Sequence, residues 1–504
     1  MPADERSFWT GSALCAAAAL ACLWIPKYLP MVDLAQHAAQ VAILGHLRDA
    51  AYGFAGHYRL NWFEPYWIGY GSAWLLSRFL PVLAALKVVL SAGVLLLPLS
   101  LRSLLARAGG EPGWSILGFP VAFGYAFYGG FFTYLVAVPV GLFFLARVYA
   151  FAAAPTARHG AALAALGVAL FFCHFAVFAA VGLVAAAVIA TSLPPRDWWR
   201  GALAGALPAA LALAWAAHHP SSAGSPASHL IWRPSLLRLA ALPITVLGFH
   251  GQLPTAACFF ALMILPALGG LRFVRASPRL APLATILALY VLVPEAWAAA
   301  GGGLGSGYVY QRLAIFVLPF VLLACSFGGT EAQRRLAPWL ATGAALAFSA
   351  LCLVQFVRFD REARSFDAVV DRLPGDASLL ALGFDESSPA VPGLPVYEHF
   401  GAWAQAWKGG ALGFSFALAD FQAAQLDPLP SPEAIYRRLL VNAEPDLFDW
   451  DRDGGFDWFL LRAPEDPGPR IFPTGRTSLA LHAGDWWLYR KTGALGLTAG
   501  TRAH

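Results

Sequence analysis

Pro30-Met31-Val32-Asp33-Leu34-Ala35-Gln36-His37 comes just after Phe8 to Tyr28, a mainly apolar run whose few polar residues, Thr10, Ser12 and Lys27, stand toward its two ends. A run of about 20 apolar residues is what a bilayer core requires. An acidic residue and a histidine therefore stand at the mouth of a first membrane span. The first 359 residues hold only nine carboxylates: Asp4, Glu5, Asp33, Asp49, Glu64, Glu111, Asp197, Glu295 and Glu331. A charge kept beside a span is costly and is a functional candidate by default.

The rest of the chain agrees with a membrane reading. Its 504 residues are 59% hydrophobic and 12% charged, with a mean hydropathy of +0.60. Soluble domains carry roughly twice that charged fraction. Residues 1–359 contain 21 Lys/Arg against 9 Asp/Glu, and residues 360–504 contain 13 against 20. The basic balance thus follows membrane topology and points to no nucleic-acid partner. The acidic tail is long enough for a core of its own. The expected organisation is an all-α polytopic membrane module over 1–359, with an outer loop at 30–81, and a small extracytoplasmic α/β or α+β domain over 360–504. Cys15, Cys22, Cys173, Cys258, Cys325 and Cys352 all lie in apolar runs without a CxxC pair, so they read as core residues. No A-x-A-like site follows Phe8–Tyr28 directly, so this run reads as a retained span.

Apolar runs fall at about 8–29, 82–106, 114–129, 131–151, 160–174, 175–193, 200–217, 255–271, 280–299, 312–328 and 336–357. Weaker runs occur at 64–80 and 236–250. Lys and Arg are retained in cytoplasmic loops. Arg102/Arg107, Arg147/Arg158, Arg196/Arg200, Arg272/Arg275/Arg279 and Arg334/Arg335 all land inside if the N-terminus is cytoplasmic and the weak runs do not cross. Eleven spans is the expected count, and thirteen the alternative. The tail then lies outside. Unusual residues collect on the same outer face, in loops 30–81, 218–254 and 294–312, whereas the inner loops are short and basic.

Each candidate has a structural reading beside a chemical one. Asp33 with Gln36 three residues on matches a capping box, yet Ser or Asn would cap without a charge. His37 shares a helix face with Asp33 and is either an interface histidine or a substrate, metal or proton-transfer partner. Glu64 precedes Pro65 at a helix start, where an acid complements the dipole; Glu295 ends a span, where it does not. Both are candidate substrate-binding residues. Arg312 opens a span after a glycine-rich loop and Tyr308/Tyr310. Guanidinium suits a phosphate, although an arginine there also snorkels to the interface. His174 interrupts an apolar stretch and reads first as a turn or packing residue. In the tail, Asp449, Asp451 and Asp453 with Gly454 resemble half of a calcium loop, but position 12 is Leu460 where a bidentate Glu is needed. A turn before a strand is the alternative. The tail otherwise shows short strands (Ser378–Leu382, Trp458–Leu461, Trp486–Tyr489) and helical stretches at 361–373 and 432–441. Two strands carry Trp, which suits sugar or lipid contact as well as packing.

The first span followed by an outer loop opening Asp33-Leu34-x-x-His37, two surface helices before the next span, and Arg312 opening a late span resemble the GT-C glycosyltransferase superfamily. The many spans and C-terminal periplasmic domain are similar to its bacterial members. That resemblance implies a multi-pass inner-membrane enzyme that moves a sugar from a polyprenyl-phosphate carrier to a glycan, lipid or protein acceptor on the outer face, with inversion. It implies Asp33 as general base, Arg312 on the carrier phosphate and the 33–80 loop as the roof of the site. Many members carry paired acids in the first loop. Here Leu34 follows Asp33, so a second carboxylate would have to be Glu64 or Asp49.

Two other classes compete. A transporter or flippase usually shows internal repeats and midplane charges, and neither is evident. An envelope scaffold would leave Asp33, Glu64, Glu295 and Arg312 scattered, whereas an enzyme needs them around one cavity. A divalent metal is compatible with the carboxylates but required by none of them.

Overall fold

The computed structural model describes residues 3–218, 229–275, 277–298, 307–419, 422–428 and 430–492. His219 and the glycine run within 299–306 lie outside the described residues. Among the described residues, six helices are long and apolar enough to cross a membrane: Glu5–Trp24, Val82–Ala108, Phe132–Ala153, Phe175–Ser192, Pro195–His218 and Glu331–Arg372. The weak run at 236–250 belongs to a helix pair, Leu236–Leu247 and Gln252–Leu268, bent by 89°. Shorter apolar helices cover Ala157–Cys173, Pro278–Leu292 and Val309–Leu323. The weak run at 64–80 is the helix Trp67–Ser77, 11 residues long and below the length of a span. The molecule is a multi-pass membrane protein.

One expected span takes another form. Residues 114–129 make three short helical pieces, Pro112–Leu117, Gly118–Ala122 and Tyr125–Tyr128, and every residue from Trp114 to Leu135 is buried. Glycines explain the breaks, because backbone from elsewhere occupies the space of a side chain. A Cβ on Gly118 would lie 2.9 Å from Pro98 Cα, and one on Gly124 would meet the carbonyl of Val246. Irregular backbone at membrane depth is tolerated where protein surrounds it. This broken segment forms the floor beneath Asp33.

Glu331–Ala363 runs continuously across the expected boundary at 359/360 and delivers the chain to the tail. The tail is built on a four-stranded sheet in the order Leu379–Gly383, Trp458–Arg462, Trp486–Lys491, Thr477–Ala483, with the first pair parallel and the others antiparallel. Helix Phe366–Arg372 precedes it in the sequence, and helix Pro432–Ala443 lies between strands Leu379–Gly383 and Trp458–Arg462. Trp458 and Trp486 are buried in this sheet, and Trp487 stacks on His482 with ring centroids 3.6 Å apart, so packing accounts for the Trp-rich strands.

Loop 30–81 and the tail interlock. Strand Tyr58–Leu60 pairs antiparallel with Ala424–Leu426, and helix Ala402–Lys408 packs on helix Leu34–His46. Gln36 donates to the Phe414 carbonyl (3.2 Å) and accepts from the Phe416 amide (3.0 Å), while Gln40 accepts from the Ala424 amide (3.0 Å). The Phe414 carbonyl and the Phe416 and Ala424 amides paired in this way fix one register, because leaving such groups unpaired costs about 1–3 kcal/mol each.

Candidate functional site

Asp33 is held by its backbone. Its amide donates to the Gly129 carbonyl (3.2 Å), and the amide of Val32 to that of Tyr128 (2.9 Å). This close approach needs Gly130, whose φ is +80° and on which a Cβ would lie 2.4 Å from the Asp33 nitrogen. The carboxylate makes no capping hydrogen bond to the helix that Leu34 begins. The capping-box expectation is therefore corrected: Gln36 reaches the tail, and the Asp33 side chain is left for other partners.

Those partners come from the tail. His399 Nε2 lies 3.6 Å from Asp33 Oδ1 and 3.9 Å from Glu398 Oε1. The imidazole, with a side chain 8% exposed, stacks on Phe414 (centroids 5.2 Å, 24°) and meets Phe416 edge-on. Burial raises the Asp33 carboxyl from 3.8 to about 6; His399 pulls it down, Glu398 pushes it up and Arg312 pulls it down. A carboxylate near 6 is still ionised at neutral pH and is matched to proton abstraction there. The second carboxylate beside Asp33 is thus Glu398. Asp49 instead caps a short helix and pairs with His46 at 3.2 Å, and Glu64 is engaged elsewhere.

Arg312 approaches from the other side of the chain's fold. Its guanidinium carbon lies 3.8 Å from the centre of the Phe131 ring, and Nη2 donates to the Gly307 carbonyl (3.1 Å). Tyr134 donates to the Arg312 carbonyl (2.8 Å), which fixes the backbone. Among the described residues no carboxylate forms an ion pair with Arg312, and its Nε is buried without a hydrogen-bond partner. Asp33 is the foremost charge acting on it, followed by Tyr66, Tyr134 and Tyr125. A half-buried guanidinium with an enclosed, unpartnered Nε and no carboxylate beside it suits an anion.

The His37 ring is engaged by Tyr70 and not by the Asp33 carboxylate. Its Nδ1 is 2.7 Å from the Tyr70 hydroxyl, which donates to Gln422 (3.0 Å). Burial, with Arg312 and His399 nearby, holds His37 down at about 3, so it is neutral. Tyr308, in the left-handed region at φ 57°, sets its ring 5.8 Å from that of Tyr125. It senses both Glu398 and Asp33 and so borders the site. Tyr310 packs edge-on against Tyr290 and lies beneath the Arg238 guanidinium (4.3 Å), with Glu295 the foremost charge acting on it. Glu295 joins this second group through its backbone: its amide donates to the Ile231 carbonyl (2.9 Å) and its carbonyl accepts from Val309 (3.2 Å). Glu64 is fully buried and accepts from Asn61 (2.7 Å) and Trp215 (3.1 Å), tying the loop to helix Trp198–His218. His174 caps helix Phe175–Ser192 by accepting from the Ala176 amide (3.1 Å).

The half calcium loop takes a different shape. Asp449 caps the short helix Trp450–Asp453 and pairs with Arg452 (3.2 Å), and Asp453 pairs with Arg437 (3.0 Å from Nε). Asp451 lies in that same turn. Among the described residues no group of three or more His, Cys, Asp or Glu is arranged to hold a metal ion.

Glu398 and His399 are the functional candidates that sequence reading missed. Their only local signal is a Glu-His pair inside the aromatic run Tyr397-Glu398-His399-Phe400. Arg462 anchors that run: it is buried, lies 3.8 Å over the Tyr397 ring and meets Glu362 (3.5 Å), Asp485 (3.3 Å) and Asp385 (3.8 Å).

No protein-family model and no curated protein matches the sequence. Solved structures do match. ArnT from Cupriavidus metallidurans bound to undecaprenyl phosphate superposes with a TM-score of 0.54, at 13% identity, over 95% of this chain and 97% of that one. The same protein in the apo state gives 0.52, with the same identity and coverage. At that identity the likeness is one of fold, and it extends over nearly the whole of both chains.

Proposed function

We propose that this protein is an integral membrane glycosyltransferase that moves a sugar from a polyprenyl-phosphate carrier to an acceptor. Asp33 takes the proton from the acceptor hydroxyl as its oxygen attacks the anomeric carbon. Arg312 meets the phosphate as it departs. A single displacement of this kind inverts the anomeric centre. The reaction lies on the outer face of a bacterial inner membrane, with the N-terminus cytoplasmic and the tail periplasmic, following the arginine distribution. Acceptor classes remain those of the sequence reading: glycan, lipid or protein.

The observation that carries this reading is the convergence of Asp33 and Arg312. One is a half-buried carboxylate raised to about 6, and the other a half-buried guanidinium with an enclosed Nε and no carboxylate partner among the described residues. Proton abstraction and phosphate departure need these two charges. The related fold of ArnT is found bound to undecaprenyl phosphate, which supports a carrier of that class. Glu64 and Glu295 serve the walls in this scheme.

Cells lacking the protein test it. Mass spectrometry of their membrane lipids is expected to show an accumulated polyprenyl-phosphate-linked sugar. The wild-type gene clears it, whereas Asp33→Asn and Arg312→Ala, present in the membrane at equal levels, do not. Clearance by Asp33→Asn at the wild-type rate would sink the assignment.

A further inference from the structure

We propose that His399 and Glu398, contributed by the tail, form the exit for the proton that Asp33 takes up; the inference rests on the glycosyl-transfer reading above. In the transfer step the acceptor oxygen bonds to the anomeric carbon and the carbon–oxygen bond to phosphate breaks. Its electron pair leaves on the phosphate oxygen, and the acceptor proton goes to the Asp33 carboxylate. Asp33 is then neutral and must lose that proton before another turnover.

A single nitrogen faces both ends of the path. His399 Nε2 is 3.6 Å from Asp33 Oδ1 and 3.9 Å from Glu398 Oε1. The proton passes from Asp33 to Nε2, giving an imidazolium, and from the same Nε2 to Glu398 and water. Both gaps exceed a direct hydrogen bond, so transfer needs a small ring displacement or one bridging water. Phe414 and Phe416 fix the plane of the ring, but its Nδ1 is buried with no hydrogen-bond partner among the described residues. No acceptor therefore steadies the imidazolium at its far side, and the proton moves on. Glu398 is 31% exposed, whereas Asp33 is 18% exposed, so the path leads toward solvent.

The other groups facing Asp33 and His399 cannot substitute. Arg312 is a permanent cation, His37 is tied to Tyr70, and Tyr70, Tyr125 and Tyr308 are phenols that act on Asp33 only as neighbours. Behind Glu398, burial and the charge of Glu398 push the Glu386 carboxyl to about 8.

Two measurements test this on the full-length protein. The first needs no substrate: the unfolding temperature of wild type minus that of Asp33→Asn, followed against pH, reports the titration of Asp33. His399→Gln is expected to move that midpoint up and Glu398→Gln to move it down; unmoved midpoints overturn the coupling. The second uses the polyprenyl-phosphate sugar recovered from cells lacking the protein, supplied to reconstituted enzyme. His399→Ala is expected to lose about 10²-fold in rate, the scale of a lost proton-transfer group. Added imidazole is expected to restore rate only above its own pKa, and His399→Asn, which keeps a polar side chain but cannot take up a proton, to remain slow. Full activity in His399→Asn, or no response to imidazole, overturns the relay alone. A wild type that leaves the lipid untouched overturns the transfer reading and the relay with it.

Discussion

Asp33→Asn is expected to make the protein more stable while abolishing its activity. Burial holds the carboxyl about two units above its ordinary 3.8. Each unit is worth about 1.36 kcal/mol, so ionised Asp33 costs the fold about 3 kcal/mol relative to the neutral acid. The sign is opposite to that of a salt-bridged carboxylate. Below pH 3.8 the group is protonated in both folded and unfolded chains, and no penalty exists. Between about 4 and 6 the unfolded chain ionises while the folded one resists, and stability falls as pH rises. Above about 6 the penalty is complete. Asparagine has no such titration. The difference in unfolding temperature between variant and wild type should therefore open from pH 4 to 6 and stay open at pH 8. The 18 tryptophans make intrinsic fluorescence in detergent a sufficient readout. A difference that is flat from pH 4 to 8, or that favours wild type as pH rises, would refute the reasoning.

Gly130→Ala is expected to fail for geometric reasons. The residue is left-handed at φ +80°, and the new Cβ would press on the nitrogen and Cα of Asp33. Displacement of a reacting group by about 1 Å costs on the order of 10²-fold in rate, so clearance of the carrier-linked sugar should fall by that factor in membranes containing normal amounts of the variant. Gln36→Leu removes both bonds to the Phe414–Phe416 segment and leaves a buried carbonyl and amide unpaired. A cost of about 1–3 kcal/mol per orphaned group is expected. It should appear as faster hydrogen exchange at 414–424 and a lower unfolding temperature; unchanged exchange would show that the tail docks by other means.

Much of the site was readable in the primary structure. Asp33 and Arg312 announced themselves because a charge in an apolar chain is visible wherever it stands. The tail's strands at 379–383, 458–462 and 486–491 were readable from short apolar runs, since such a run is a local property. The role of Gln36 was misread, because a capping box and a tail staple have the same local spelling. Glu398 and His399 were invisible for a related reason: the tail has 20 carboxylates, and nothing local distinguishes the one that faces Asp33. The 114–129 run looked like a span because length and apolarity were right, whereas the backbone contacts at Gly118 and Gly124 lie far off in sequence.

The sequence by itself determined that this chain lives in a membrane and which residues carry charge there, because solvation depends on composition over a few turns. Only the tertiary structure decided what Asp33 faces. That outcome rests on Gln36, Gln40 and strand Tyr58–Leu60 docking the tail onto the first loop, and on Gly130 admitting the Asp33 backbone. Such contacts join residues from 97 to 384 positions apart, where local propensity has no purchase and packing alone selects the partner.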